Sequence, residues 1–301
     1  MKLFNTLSLE INAQCNRSCK FCPVAYNSRP NERMQEELVM KAIKELAALK
    51  YKGRIEWYIY NEPFKDKEWT EFCITTTKKL VPTATQMIAT NGDYLKGSDE
   101  ILHWFNLGLN QLLVNCYSVG LYEKRLPWIE AVEAQDNVKI NGDQVYAQGK
   151  HRQHHISMLD KSVPEEFGTG IFRLTNRAGN IEQFIPKTCE AVPRMCVRPF
   201  RLLNINWRGE PMVCCQDYHA DVTWSNLKSA SLVDIWNHPV LNTYREHLLR
   251  KDRTLPLCNV CDCHSGAYPG NVDKSFGKTL NKNLIHRYYQ LRVDKRNKED
   301  K

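Results

Sequence analysis

The sequence predicts an α/β fold, a partial parallel barrel followed by a small cysteine-rich domain. Three observations carry this. Short apolar runs alternate with helical patterns up to about residue 135, that alternation then fades, and after Ile185-Pro186 the composition turns abruptly to cysteine. With 301 residues the chain can bury a full core, and ordinary domain sizes favour one large unit plus a small one.

Leu7, Leu9 and Ile11 alternate with polar residues, which predicts a half-buried first strand before a cysteine loop. Leu38, Val39, Ala42, Ile43, Leu46 and Ala47 then recur at helical spacing, closed by Gly53. Ile55 to Tyr60 reads as the second strand, ending at Asn61-Glu62-Pro63, and Trp69 to Leu80 as the next helix. Gln86 to Ala89 and Leu112 to Asn115 are the third and fourth strands. Helices are expected at Ser98 to Leu107 and, despite Pro127, at Leu121 to Ala134. Strands alternating with helices imply a parallel sheet whose chemistry lies at the strands' C-terminal ends. No element is assigned between Asp136 and Thr169, where His151, His154 and His155 stand in a polar run. Phe172 to Leu174 reads as one more strand.

Composition excludes some classes. Hydrophobic content of 42% and charged content of 25% are those of a globular protein, and no apolar run approaches a membrane span. The opening residues lack a secretory signal, so a cytoplasmic location and no membrane partner are expected. In a reducing compartment the twelve cysteines are read first as metal ligands. The net charge of +8 is spread along the chain, apart from a basic tail over 281–301 expected to be solvated and partly disordered. Nucleic-acid binding is therefore the minor reading.

Cys15, Cys19 and Cys22 are spaced C-x3-C-x2-C, and three thiolates on one loop can hold three irons of a cubane cluster. The fourth iron then keeps an open position for a substrate or cosubstrate. A zinc site would need a fourth ligand, and none is obvious before Cys73. The segment Cys15 to Cys22, with Phe21 before the last cysteine, resembles the signature of the radical S-adenosylmethionine (SAM) superfamily. The resemblance implies a partial (β/α)6 TIM-like barrel over 1–185 and a [4Fe-4S] cluster that binds SAM. Tyr60-Asn61-Glu62-Pro63 is similar to the family's Gly-Gly-Glu-Pro segment, with Tyr60 and Asn61 in place of the glycines, and implies that Glu62 and Asn61 face the methionyl amine. Thr90-Asn91-Gly92 and Asn115 to Ser118 resemble the third and fourth strand ends. Thr90, Asn91, Asn115 and Ser118 are implied contacts to the methionine carboxylate or ribose, and Arg173 is a further candidate for the carboxylate. Asn91-Gly92 also reads as a plain turn and Arg173 as half of a structural ion pair.

Cys196, Gly209 and Cys214 form C-x12-G-x4-C, and Cys258 with Cys261 completes four thiolates, enough to close a second cluster. This pattern is similar to the Twitch and SPASM extensions of radical SAM enzymes, which implies a small α+β domain over 186–280 holding an auxiliary [4Fe-4S] cluster. Only Cys263 follows Cys261, so one auxiliary cluster is favoured, with Cys189, Cys215 and Cys263 left over. Cys73 and Cys116 read as packing residues, and Trp224, Leu232, Ile235 and Trp236 as core of the small domain. Asp217 is the catalytic candidate, since related enzymes can place a proton-accepting acid there; a turn carboxylate is the other reading.

The resemblance implies reductive cleavage of SAM, with an electron from a flavodoxin- or ferredoxin-type donor, to a 5'-deoxyadenosyl radical that takes hydrogen from a substrate. An auxiliary cluster able to accept an electron suggests an oxidoreductase acting on a sugar- or aminocyclitol-like small molecule. A peptide maturase is the alternative, and a zinc or iron-sulfur module on nucleic acid is the alternative from another class. The first strand begins almost at Leu3, which tilts the expectation toward the small molecule.

Overall fold

The computed structural model describes residues 3–135, 138–148, 151–160, 175–182, 195–263 and 275–299. Four β/α units open the chain. They are β1 (Thr6–Leu9) with α1 (Glu36–Ala48), β2 (Arg54–Glu56) with α2 (Lys67–Leu80), β3 (Thr85–Thr90) with α3 (Ser98–Leu107), and β4 (Gln111–Cys116) with α4 (Val119–Glu133). The four strands are parallel and neighbours in chain order, as a partial barrel requires. Leu38, Val39, Ala42, Ile43 and Leu46 are the buried face of α1, and Glu36 and Glu37 suit its positive N-terminal end.

All four residues of β1 are buried, so the half-buried strand that alternation predicts is not what forms. Leu7, Leu9 and Ile11 join the main hydrophobic core with α1 and α2. The alternate residues Ser8 and Glu10 are polar yet covered, Ser8 Oγ donating to Glu56 Oε2 at 2.7 Å. Alternation here separates a core face from a polar face inside the barrel.

Beyond α4 the parallel pattern ends. β5 (Val138–Gln148) and β6 (His151–Asp160) form an antiparallel hairpin, and β6 pairs antiparallel with β4. Two strands thus lie inside the stretch that the sequence leaves unassigned. The expected strand at Phe172–Leu174, with Arg173, lies outside the described residues, as does Cys189.

After the short helix α5 (Arg198–Arg201), β7 (Leu202–Ile205) pairs parallel with β1, and β8 (Pro211–Met212) runs antiparallel to β7. The sheet order is β5-β6-β4-β3-β2-β1-β7-β8. A strand from beyond residue 185 therefore completes the barrel's sheet. Helices α6 (Leu232–Trp236), α7 (Pro239–Leu249) and α8 (Lys282–Glu299) follow. Two expectations are corrected here. Leu232, Ile235 and Trp236 pack in the barrel core, Trp236 against Phe4 with ring centroids 5.6 Å apart, and Trp224 touches both cores. The basic tail is not loose: it is α8, with Ile285 fully buried and Arg292 and Arg296 paired to Glu210 and Asp221.

Candidate active site and cysteine centres

The first cysteine loop is fastened to the end of β2. Glu62 N–H donates to Gln14 O at 2.9 Å and Asn12 Nδ2 to Glu62 O at 3.3 Å, so the loop and the β2 terminus move as one. Cys22 N–H closes a turn on Cys19 O at 2.8 Å. Burial pushes the Cys19 thiol up to about 12, and Cys22 and Cys15 raise it further. Burial likewise raises Cys15 and Cys22, Cys22 being countered by Arg177 and Arg29. Three thiolates crowded this way favour a cationic centre that deprotonates them together. Among the described residues no three His, Cys, Asp or Glu close around a single ion. A cubane puts each thiolate on a different iron and spaces them more widely, so the donor set fits a cluster better than zinc.

Beside this loop stand most of the residues expected to hold SAM. Glu62 Oε1 accepts from Thr90 Oγ1 at 2.7 Å and Phe64 N at 3.1 Å, and Oε2 accepts from Asn91 N at 2.8 Å. Burial raises this carboxyl to about 7 against those donors. Asn91 Nδ2 lies 3.6 Å from Cys15 Sγ and 2.7 Å from Asn16 Oδ1, which makes the β3 end part of the cysteine site. Asn115 Nδ2 donates to Thr90 O at 3.2 Å while its Oδ1 is buried without a partner among the described residues, an acceptor left over for a ligand. Phe21 lies 5.4 Å from the Tyr117 ring. Two residues are occupied locally. Asn61 closes its own turn on Ile59 N and Trp57 O, and the exposed Ser118 caps α4 by accepting from Leu121 N at 3.3 Å.

A group the sequence reading missed lies next to Cys22. Glu10 is fully buried. Its Oε1 accepts from Tyr60 N at 3.0 Å and pairs with Arg29 at 2.6 Å, and its Oε2 has no partner among the described residues. Arg29 is caged by Tyr218, Trp207 and Tyr60, at 3.9, 4.6 and 5.4 Å from their ring centroids, and donates to Tyr218 O. Arg177 lies over Tyr60 at 6.0 Å, within electrostatic reach of both Cys22 and Cys215. Tyr60 Oη donates to Cys215 O at 2.6 Å. The one available signal was Glu10's place just past β1, where barrel chemistry sits.

The second group gathers as expected. Cys196, Cys258, Cys261 and Cys263 line one small core, and Cys214 feels Cys215, Cys258 and Cys196. Burial pushes Cys258 up to about 12, Cys196 adding to it, so these thiols too favour a shared cationic centre. Cys263 N–H donates to Cys261 Sγ and Gln216 N–H to Cys214 Sγ, both at 3.4 Å, the kind of amide support that cluster sulfurs receive. Cys73 and Cys116 are buried in the barrel core. Asp217 closes its own loop: its Oδ1 and Oδ2 accept from the backbone of Asp221 at 2.8 Å and Val222 at 3.4 Å in a fully buried setting. Burial, then Asp221, raises it to about 8.

A partial barrel with a three-cysteine loop at its strand ends, joined to a second cysteine centre, defines the class: this chain is a radical SAM enzyme with a SPASM-type iron-sulfur domain. Residues 196–264 match the SPASM family, an iron-sulfur cluster-binding domain. The chain is 25% identical over 263 residues to the S-adenosyl-L-methionine-dependent 2-deoxy-scyllo-inosamine dehydrogenase of Niallia circulans, covering 87% of this chain and 94% of that one. In fold it is similar to the crystal structure of BtrN in complex with AdoMet and 2-DOIA, with TM-score 0.66, 22% identity and 92% and 99% of the two chains covered. BtrN in an open conformation matches with TM-score 0.57 and 20% identity, over 87% of this chain and 93% of that one. Among the described residues no helix is long and apolar enough to cross a membrane.

Proposed function

We propose that this enzyme oxidises a hydroxyl-bearing small molecule of the sugar or aminocyclitol kind, and that Oε2 of Glu10 marks where the substrate sits. When bound, SAM and the two clusters supply a hydrogen-abstracting radical and an acceptor for the second electron. The residues of the chain do the rest. Cys15, Cys19 and Cys22 hold the first cluster, and Glu62, Thr90, Asn91 and Asn115 orient SAM beside it. Cys196, Cys214, Cys258 and Cys261 hold the auxiliary cluster.

Glu10 Oε2 offers a buried acceptor to a substrate hydroxyl or amine, and leaving a buried carboxylate oxygen unpaired is costly. The Arg29 guanidinium keeps Glu10 oriented, while Tyr60 and Arg177 span from the Cys22 side to the Cys215 side. Oxidation of a carbinol releases a proton as well as electrons. Glu10, held above the ordinary carboxylate range chiefly by burial, is placed to take it. Phe21 is assigned to the SAM side of the cysteine loop, Asn61 and Ser118 are left to the local turns they close, Arg173 lies outside the described residues, and Asp217 serves as a loop acid. A flavodoxin- or ferredoxin-type protein is the proposed electron donor. The dehydrogenase relative acts, by its name, on 2-deoxy-scyllo-inosamine, which is the first substrate to try.

The test is anaerobic reconstitution, then dithionite and SAM with detection of 5'-deoxyadenosine. Wild type should carry about eight irons, and the Cys15→Ala, Cys19→Ala, Cys22→Ala triple variant about four with no cleavage. Product formation from aminocyclitols that is lost in Glu10→Gln would support this placement of the substrate; turnover of peptides alone would sink it.

A further inference from the structure

Arg198 is the second residue after Cys196 and opens α5. Its Nη1 donates to Cys215 Sγ at 3.0 Å. The groups that act most strongly on it are four thiols, those of Cys215, Cys263, Cys214 and Cys196. No carboxylate pairs with it among the described residues. A partly buried guanidinium is best stabilised by neighbours that carry negative charge. Neutral thiols do not. Thiolates on a cluster do, because a four-thiolate cubane is net negative and gains one more negative charge on reduction. A second arginine, Arg253, is 6% exposed and hydrogen-bonded to Cys258.

We infer that Arg198, together with Arg253, sets the auxiliary cluster's reduction potential, holding it high enough to take an electron from the substrate radical. The inference rests on the auxiliary-cluster reading above. A fixed cation beside the sulfurs stabilises the reduced form more than the oxidised one, because the reduced form carries the larger negative charge. Both arginines are positioning residues that touch no reacting atom of the substrate: Arg253 bonds the ligand sulfur of Cys258, while Arg198 bonds the neighbouring thiol of Cys215, which is not one of the four ligands, and acts on Cys214 and Cys196 through its field. The balance of the step is simple. A carbinol radical on the substrate loses one electron and one proton to become a carbonyl; the electron goes to the auxiliary cluster and the proton to a nearby base. A cluster whose potential lies too low would leave that radical unoxidised.

The experiment uses the full chain carrying the Cys15→Ala, Cys19→Ala, Cys22→Ala changes, so that only the auxiliary cluster is read. Iron and sulfide are counted, and the midpoint potential is followed by electron paramagnetic resonance in a redox titration. Arg198→Gln should keep its iron and shift the midpoint to more negative potential, Arg198→Lys should restore most of it, and Arg253→Gln should shift it in the same direction. A loaded Arg198→Gln cluster with an unshifted midpoint overturns the inference. If Arg198→Gln holds no iron, Arg198→His decides. A midpoint that falls from pH 6 to pH 8 more than the wild-type midpoint does supports the charge role, and an equal fall overturns it. A triple variant without any iron would instead refute the auxiliary cluster itself.

Discussion

Glu62 and Asp217 are both buried carboxylates pushed upward, to about 7 and about 8, yet their neighbours assign them different work. Glu62 accepts from Thr90 and Asn91 at the edge of the cysteine loop, while Asp217 is consumed by the backbone of its own loop. A carboxyl raised in the folded chain keeps its proton where the unfolded chain, titrating near 4, has already lost it. Its stabilising share is therefore full below about pH 4 and is lost as pH rises through about 8. Asp217→Asn removes that titration. Its melting temperature should fall less steeply than wild type between about pH 6 and 9, and its turnover should survive; a scan of melting against pH with an activity assay checks both. Loss of turnover in a folded, iron-loaded variant would return Asp217 to catalysis. The cysteines, Glu62, Thr90 and Asn91 were legible because each lies in a short motif at a strand end. Glu10 and Arg29 were not, because what makes them a site is distant in the chain: Arg29 donates to a carbonyl 189 positions away.

At the level of elements, periodicity identified the four β/α units but mistook what covers them. The polar face of β1 looked solvated and is the barrel interior, since a barrel turns one face of every strand inward. The β5–β6 hairpin was missed because its apolar alternation is short, Val138 and Ile140 on one strand and Ile156 and Met158 on the other, within a polar stretch that includes Lys139, Asn141, Asp143, Gln144 and Arg152. Pro127 did not break α4, whose helix is tied from outside: Arg125, 4% exposed, reaches Asp93, Asn115 O and Cys116 Sγ. That tie explains Gly92. Its φ of +70° favours glycine, and an added Cβ would stand 2.8 Å from Arg125 Cζ. Gly92→Ala should cost about 1 to 3 kcal/mol by urea unfolding and weaken SAM binding, because Asp93 and Asn91 flank it. Stability equal to wild type would mean that the β3 turn relaxes without disturbing Arg125.

The whole molecule is less divisible than its composition suggests. A boundary at 185 follows the change in cysteine content, but β7 pairs with β1 and α6 packs in the barrel core, so the two halves share sheet and core. Sequence could not show this, since pairing across 196 positions leaves no local signal. The same holds for the tail. Its charges read as solvation, yet Arg296 and Arg292 are spent on Asp221 and Glu210, and only Ile285 is fully buried. A single 18-residue helix with one buried apolar anchor is marginal alone, so packing against the cysteine core must hold it. Ile285 belongs to that core together with Cys196, Cys258, Cys261 and Cys263. Ile285→Ala should therefore destabilise the chain by about 2 to 5 kcal/mol and do more than loosen an end. The auxiliary cluster should bleach faster under a chelator than in wild type, while the first cluster, on the far side of Tyr60, keeps its rate. Equal bleaching of both clusters would show that α8 steadies the molecule as a whole. No change in either would make the helix a loosely held end after all.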